Sequence, residues 1–188
     1  MNRIEEILLF RSKLALLSGP RGCGKTTFIL NKLTQLKNCK YKILLIVKNY
    51  YNIKYSNEKL GGNYNNITIV SFNNLQRFFI NKNEKYDIII NEEILTFNDF
   101  SNKNNEKNYA LDLVLNFEKK LLYNNGVIIN TSYIPNFFSN DFSVYMKLNN
   151  LCDTSLIINP IINGKTYVSG KFFDGKNQII SDFIDHLN

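Results

Sequence analysis

Among its 188 residues the chain has one histidine, His186, and three cysteines, Cys23, Cys39 and Cys152. A single imidazole near the carboxyl end gives no basis for a histidine metal site or a Ser-His triad, and His186 reads as a solvated tail residue. The cysteines are scattered without paired spacing. That argues against a disulfide framework or a cysteine zinc site and suits a reducing compartment. Arginine is scarce as well: Arg3, Arg11, Arg21 and Arg77 are the full set, and no clear arginine finger stands out. No apolar run approaches the roughly 20 residues a membrane-spanning helix needs. The amino end lacks signal-peptide form, because Glu5 and Glu6 interrupt it and its apolar stretch (residues 7–10) is short. The expectation is an intracellular protein, cytoplasmic or nuclear, with no membrane partner.

What the chain does have is the octapeptide Gly19-Pro20-Arg21-Gly22-Cys23-Gly24-Lys25-Thr26, a full match to the phosphate-binding loop pattern G-x-x-x-x-G-K-[ST]. An apolar strand candidate, residues 14–18, precedes it. A helix candidate follows, with Phe28, Ile29, Leu30, Leu33 and Leu36 apolar. The glycines let the main chain approach a phosphate closely, and the loop N–H groups and positive helix end face its oxygens. Lys25 would reach the β- and γ-phosphates, and the Thr26 hydroxyl would ligate Mg²⁺. The predicted nucleotide contacts are Gly19, Pro20, Arg21, Gly22, Cys23, Gly24, Lys25, Thr26, Thr27 and, from a later strand end, Asn130. The cofactors implied are ATP and Mg²⁺. Hydrolysis is a separate and weaker claim than binding.

The length predicts one domain over residues 1–188, and 44% hydrophobic residues suffice for a sizeable core. The formal charge of +7 is compatible with a nucleic acid partner, although the lysines form no long basic run. Asparagine-rich stretches such as 102–108 read as surface loop.

Along the chain, residues 2–10 suggest a short leading helix, and residues 41–47 an apolar strand buried on both faces. Residues 48–65 read as a long surface excursion. Residues 67–72 form a strand and 73–80 a helix, with Leu75, Phe78 and Phe79 inward. Residues 86–93 form a buried strand that ends in acids, followed by a loop over about 94–107. Residues 109–123 are an amphipathic helix: Leu111, Val114, Leu115 and Leu122 on one side, Glu118, Lys119 and Lys120 opposite. Asn124-Asn125-Gly126 ends it. Residues 127–129 are a strand running into Asn130-Thr131-Ser132, and 133–145 an aromatic loop. Two β segments, 155–158 and 166–173, flank the hairpin turn Asn163-Gly164. Residues 179–187 read as a last short helix. Alternating strands and helices predict an α/β three-layer fold with a mainly parallel sheet and a β-hairpin at one edge. Ligand then belongs at the carboxyl ends of the strands. The phosphate loop, the acids and the polar cluster 130–132 all fall there.

Nucleotide hydrolases of this class usually end the third strand with an Asp that serves the Mg²⁺ shell, often followed by a Glu that orients water. This chain has Asn91-Glu92-Glu93, and two registers are open. In one, Asn91 stands in the metal position and Glu92 is the catalytic acid. In the other, Glu92 serves the metal and Glu93 polarises water. Thr26, Asn91 and Glu92 are thus the metal candidates, Glu92 and Glu93 the catalytic ones. Glu93 can also be read as a solvated helix-start acid. Asp87, at the far end of the strand, is expected to be structural. Asn130, Thr131 and Ser132 take the place of a γ-phosphate sensor, with a strand-end cap as the alternative.

The order of parts resembles the RecA-like branch of P-loop NTPases, in particular small divergent recombinase paralogues of the Shu-complex type. The stretch from Glu92 to Gly126 leaves room for a loop and a full helix. Residues 115–132 look like the recombinase helix and the strand before its DNA-facing loop. The tail, residues 152–158 with Gly164-Lys165-Thr166 and Gly170-Lys171-Phe172, is similar to that family's closing hairpin. The resemblance implies a recombination or repair accessory ATPase with DNA and a protein of a recombination-type complex as partners. The thymidine kinase family is similar in length and in Gly19-Pro20, but its lobe cysteines are missing here and its Asp is Asn91. Viral DNA-packaging ATPases are similar in strand order and in the tract 116–135. A non-hydrolysing nucleotide-binding scaffold is the fourth reading.

Overall fold

The computed structural model describes residues 12–74, 84–95, 104–158, 166–173 and 179–187, the last two stretches as backbone alone. The elements in chain order are β1 (Leu14–Gly19), α1 (Lys25–Leu36), β2 (Ile43–Val47), α2 (Tyr50–Leu60), β3 (Ile67–Ser71), β4 (Tyr86–Asn91), α3 (Asn104–Leu121), β5 (Leu122–Tyr133), α4 (Asn140–Leu151), β6 (Thr154–Ile158), β7 (Thr166–Phe173) and β8 (Ile179–Leu187). They build one sheet in the order β3-β2-β4-β5-β1-β6-β7-β8. The first six of these are parallel, and β7 and β8 add antiparallel strands at one edge.

Strand alternation explains why β2 can be apolar throughout. Successive side chains leave the sheet on opposite faces. Ile43, Leu45 and Val47 join Ala15, Leu17, Phe28, Ile29 and Leu33 in a core under α1. Leu44 and Ile46 join Leu14, Leu16, Leu111, Leu115, Val144 and Leu148 in a second core under α3 and α4. Helices cover both faces, giving three layers. β5 lies between β1 and β4, so the strand leading to the phosphate loop and the strand ending in acids are separated by one strand.

Several sequence expectations change. Residues 48–65 are not an open excursion: they hold α2. The Asn49 side chain accepts from the Asn52 N–H at its start, and Gly61 ends it at φ 73. Its buried side is only Ser56 and Leu60, with Ile53 packed against the core, too thin a stripe to stand out among polar residues. Within the aromatic stretch 133–145, α4 begins at Asn140, and Val144, Tyr145 and Leu148 hold it to the sheet. Residues 179–187 pair with β7 as a strand, not a helix, and His186 lies opposite Tyr167 in that ladder. The pairs Ile179-Ile180 and Phe183-Ile184 suit either period, and the antiparallel partner decides. α3 starts at Asn104, inside the stretch read as loop, and ends at Leu121; β5 already begins at Leu122 and runs through Asn124-Asn125-Gly126.

On α3, Glu118 is buried with the apolar residues instead of opposite them. It stands at i+7, i+4 and i+3 from Leu111, Val114 and Leu115, so helical geometry puts it inside their stripe. Phe72–Asn74 form a single 3-10 turn. The rest of the helix expected over 73–80, the leading helix over 2–10 and the Asn163-Gly164 turn lie outside the described residues. Asp87 has the structural place expected of it: its carboxylate accepts the Lys42 backbone N–H at 2.8 Å. Among the described residues no helix is long and apolar enough to cross a membrane.

Candidate active site

β1 delivers the chain to the carboxyl edge of the sheet at Gly19, and α1 begins at Lys25. The turn between them is held tightly at one end and open at the other. A Cβ on Gly19 would meet the Ile158 carbonyl oxygen at 2.5 Å and Cys23 Sγ at 2.6 Å. Gly22 and Gly24 take φ of 77° and 96°, and no described atom lies within 4 Å of where a Cβ on either would stand. Gly24 caps α1 without any side-chain hydrogen bond to the first turn. Open glycine backbone ahead of a helix start with no side-chain cap suits a phosphate group.

Two distinct stability effects follow from the two kinds of glycine. Gly19→Ala is expected to destabilise the fold by about 1–3 kcal/mol, because the backbone of β6 cannot give way. Gly22→Ala is expected to cost about 1–2 kcal/mol, through the left-handed backbone alone. Denaturant unfolding of the two variants checks this, and a Gly19→Ala midpoint equal to that of the unsubstituted chain would contradict the packing.

Lys25 is buried, and its ammonium donates to the Gly19 and Pro20 carbonyls, both at 3.1 Å. It also pairs with Glu93 Oε1 at 3.5 Å. The Thr26 hydroxyl donates to Glu92 Oε1. Glu92 is fixed from its backbone, whose N–H donates to the Ile46 carbonyl at 2.8 Å. Burial pushes its carboxyl above the ordinary carboxylate range; the Thr26 hydrogen bond works downward, nearby Glu93 upward and Lys25 downward. Glu93 adopts φ 59°, the left-handed region, where a residue other than glycine is uncommon and strained. Its backbone N–H donates to Thr131 Oγ1 at 2.9 Å. The strain is therefore held in place by the end of β5 on one side and by Lys25 on the other.

Asn91 and Asn130 go elsewhere. They are register partners on β4 and β5, two residues beyond Ile89 and Ile128, which face the α3 core. Asn91 Nδ2 donates to Glu118 Oε1 at 2.5 Å. Both asparagines are buried, and no described hydrogen-bond partner reaches either side-chain atom of Asn130. Neither is brought to Lys25 and Thr26. Strand alternation instead turns Thr131 toward the α1 side, where it meets Glu93. The structure places Glu92 against Thr26, and Glu93, one residue further, against Lys25.

Arg21 is exposed, with its guanidinium 4.8 Å from the centre of the Tyr133 ring. The Tyr133 hydroxyl donates to Asp141 Oδ2 at 2.5 Å, and Lys107 pairs with Asp141 at 2.7 Å. Burial and the Asp141 carboxylate push the Tyr133 hydroxyl up to about 12. Of the sensor-position cluster, Thr131 is the residue that meets Glu93; Tyr133 and Asp141 carry no local signal in the sequence. Cys23 and Cys152 are buried free thiols, Cys39 a half-buried one, and Thr27 is exposed on the first turn of α1.

These residues fit a Mg²⁺-bound nucleoside triphosphate. The loop supplies open backbone and Lys25, and Thr26 with Glu92 supplies hard oxygen ligands of the kind Mg²⁺ takes. No group of three or more His, Cys, Asp or Glu among the described residues could hold a metal by itself, so a metal here would depend on phosphate oxygens and water for the rest of its shell.

No protein-family model matches the sequence, and no curated protein does. Solved structures do match the fold. A KaiC-like protein, PH0186, from the archaeon Pyrococcus horikoshii OT3 superposes with a TM-score of 0.61 at 16% identity, covering 96% of this chain and 89% of that one. The flagellar accessory protein FlaH from Methanocaldococcus jannaschii gives a TM-score of 0.55 at 13% identity, covering 97% and 90%. Both have the RecA-like fold, and the present chain has that fold too: helices around a six-stranded parallel core, extended by antiparallel strands.

Proposed function

We propose that this chain is an ATP- and Mg²⁺-binding RecA-like protein that acts on or near DNA as a recombination or repair accessory factor, with slow hydrolysis. The observation that carries the nucleotide reading is the meeting of Lys25, Thr26, Glu92 and Glu93 at one sheet edge. In this reading Lys25 binds the β- and γ-phosphates. Thr26 and Glu92 hold Mg²⁺, directly or through its water. Glu93, more exposed than Glu92 and held by Thr131 and Lys25, orients the attacking water. Bound Mg²⁺ would supply charge neutralisation at the phosphates. The net charge of +7 and the recombinase-like order of parts support a DNA partner and a Shu-complex-type setting with a further protein subunit.

One observation favours a second reading, a nucleotide-stabilised scaffold that does not hydrolyse. The strand ends in Asn91, not in an acid, and Asn91 is engaged with Glu118 behind the sheet. ATP turnover by the purified protein, with and without single-stranded DNA, separates the two. Glu93→Gln is expected to lower turnover about a hundredfold or more, the usual contribution of a positioned general base, with ATP affinity kept. Turnover unchanged in that variant would remove Glu93 from the chemistry. Tight binding with no turnover in the unsubstituted chain would select the scaffold. Phosphorylation of thymidine would replace both readings with a nucleoside kinase.

A further inference from the structure

The phosphate site leaves the outer face of α2 unused. Tyr50 and Tyr51 are 71% and 81% exposed there, and Tyr55 41%. Five exposed tyrosines occur among the described residues, the other two being Tyr109 and Tyr123. Three of the five fall within one and a half turns of one helix, which sets this face apart from a general abundance of tyrosine. Lys48, Lys54 and Lys59 are exposed in the same stretch, and Glu58 is its one acid. Tyr51, Lys54, Tyr55, Glu58 and Lys59 follow i, i+3, i+4, i+7, i+8, so they form one solvent-facing stripe. Lys59 Nζ sits 5.7 Å from the centre of the Tyr55 ring, which places charge and aromatic surface side by side. The stripe is also a firm platform. Asn49 and Gly61 cap the helix, and Ser56 and Leu60 anchor its inner side.

We propose that this face of α2 docks single-stranded DNA, with Tyr51 and Tyr55 stacking on unpaired bases and Lys54 and Lys59 meeting the flanking phosphates. The two rings are one turn apart, about 6 Å along the helix axis, so each can take its own base. Exposed rings interleaved with lysines are what sequence-tolerant single-strand binding requires: a π-face for any base and a positive track for the backbone. The proposal deepens the DNA part of the proposed function and rests on it. It does not depend on the phosphate site. α2 follows the carboxyl end of β2 and packs beside α1, so the bound strand would run along the flank of the helix that opens at the phosphate loop.

The test is fluorescence anisotropy of a labelled oligothymidylate at low salt, with ATP affinity measured on the same samples. The Tyr51→Ala/Tyr55→Ala variant is expected to bind at least about tenfold more weakly, since each stacked base contributes on the order of a tenfold factor or more. Lys54→Glu/Lys59→Glu is expected to weaken binding and flatten its salt dependence. Tyr51→Phe/Tyr55→Phe keeps the rings and is expected to bind as the unsubstituted chain does. ATP affinity is expected to stay the same throughout. DNA affinity unchanged in the alanine and charge-reversal variants would overturn the docking face while leaving the DNA reading intact. No binding by the unsubstituted chain would overturn both. A preference for duplex over single strands, or loss of ATP binding in these surface variants, would also overturn it.

Discussion

Lys25→Ala is expected to weaken ATP binding on the order of a hundredfold while leaving the fold in place. The ammonium is the one cation buried inside the loop, 5% exposed, and its present partners are two backbone carbonyls, the Cys23 sulfur and Glu93. A charge-assisted hydrogen bond contributes about 1.5–3 kcal/mol, and a tenfold change in affinity is about 1.4 kcal/mol. A lysine that meets two phosphate groups therefore accounts for roughly two orders of magnitude. Titration calorimetry with ATP and Mg²⁺ measures it. Equal affinity in the variant and the unsubstituted chain would contradict the central reading of the site. The variant also separates binding from packing. When the ammonium is removed, the carbonyl of exposed Pro20 can turn to water and the buried Gly19 carbonyl still accepts the Ile134 N–H at 3.3 Å, so the unfolding midpoint is expected to move little. The loss should therefore appear in affinity and not in stability, the reverse of Gly19→Ala.

The phosphate loop was legible because its chemistry is local. Eight consecutive residues specify strand end, turn and helix start, and the geometry of Gly22, Gly24 and Lys25 follows from them. The parallel core was legible for a similar reason, since β2 and β4 are too apolar to be half exposed. The acids were legible only as a pair of options. Choosing between registers requires knowing which face of the sheet Asn91 occupies, and a strand buried on both faces hides that information. Ile88, Ile89 and Ile90 are all buried, so no alternation marks the faces. α2 and α4 escaped because their inner stripes are narrow and their outer faces carry tyrosine, phenylalanine and asparagine, which single residues do not assign to helix. β8 escaped because its register is set by β7, not by its own period. Glu118 is the instructive case: its helical position places it among leucines, but a charged residue type suggested the opposite face.

That buried glutamate gives the second large effect. Glu118 is wholly inside the protein; one oxygen accepts from Asn91, and no described partner reaches the other. Burial pushes its carboxyl up to about 8, against an ordinary value of 4.5, with the Asn91 hydrogen bond working downward. The folded state thus holds a proton that the unfolded state releases. Stability from this group is fully present below about pH 4.5 and is lost as pH rises to and through about 8, because ν_U is then smaller than ν_N. Glu118→Gln keeps an oxygen for the Asn91 amide and cannot ionise. The variant is therefore expected to unfold at a higher temperature than the unsubstituted chain at alkaline pH, with the gap closing as pH falls toward 4.5. Thermal unfolding of both proteins across that range reads the difference directly and cancels every other titrating group. A gap that does not change with pH would mean that Glu118 does not carry a proton inside the fold. Glu118→Ala is the necessary companion. It removes the acceptor as well as the acid, leaves the Asn91 amide unpaired at the end of β4, and is expected to be about 1–3 kcal/mol less stable than the glutamine variant at every pH. Because Asn91 immediately precedes Glu92 and Glu93, ATP turnover that falls in the alanine variant and recovers in the glutamine variant would identify the Asn91–Glu118 hydrogen bond, and not the carboxylate charge, as what holds the acidic strand end toward the phosphate loop.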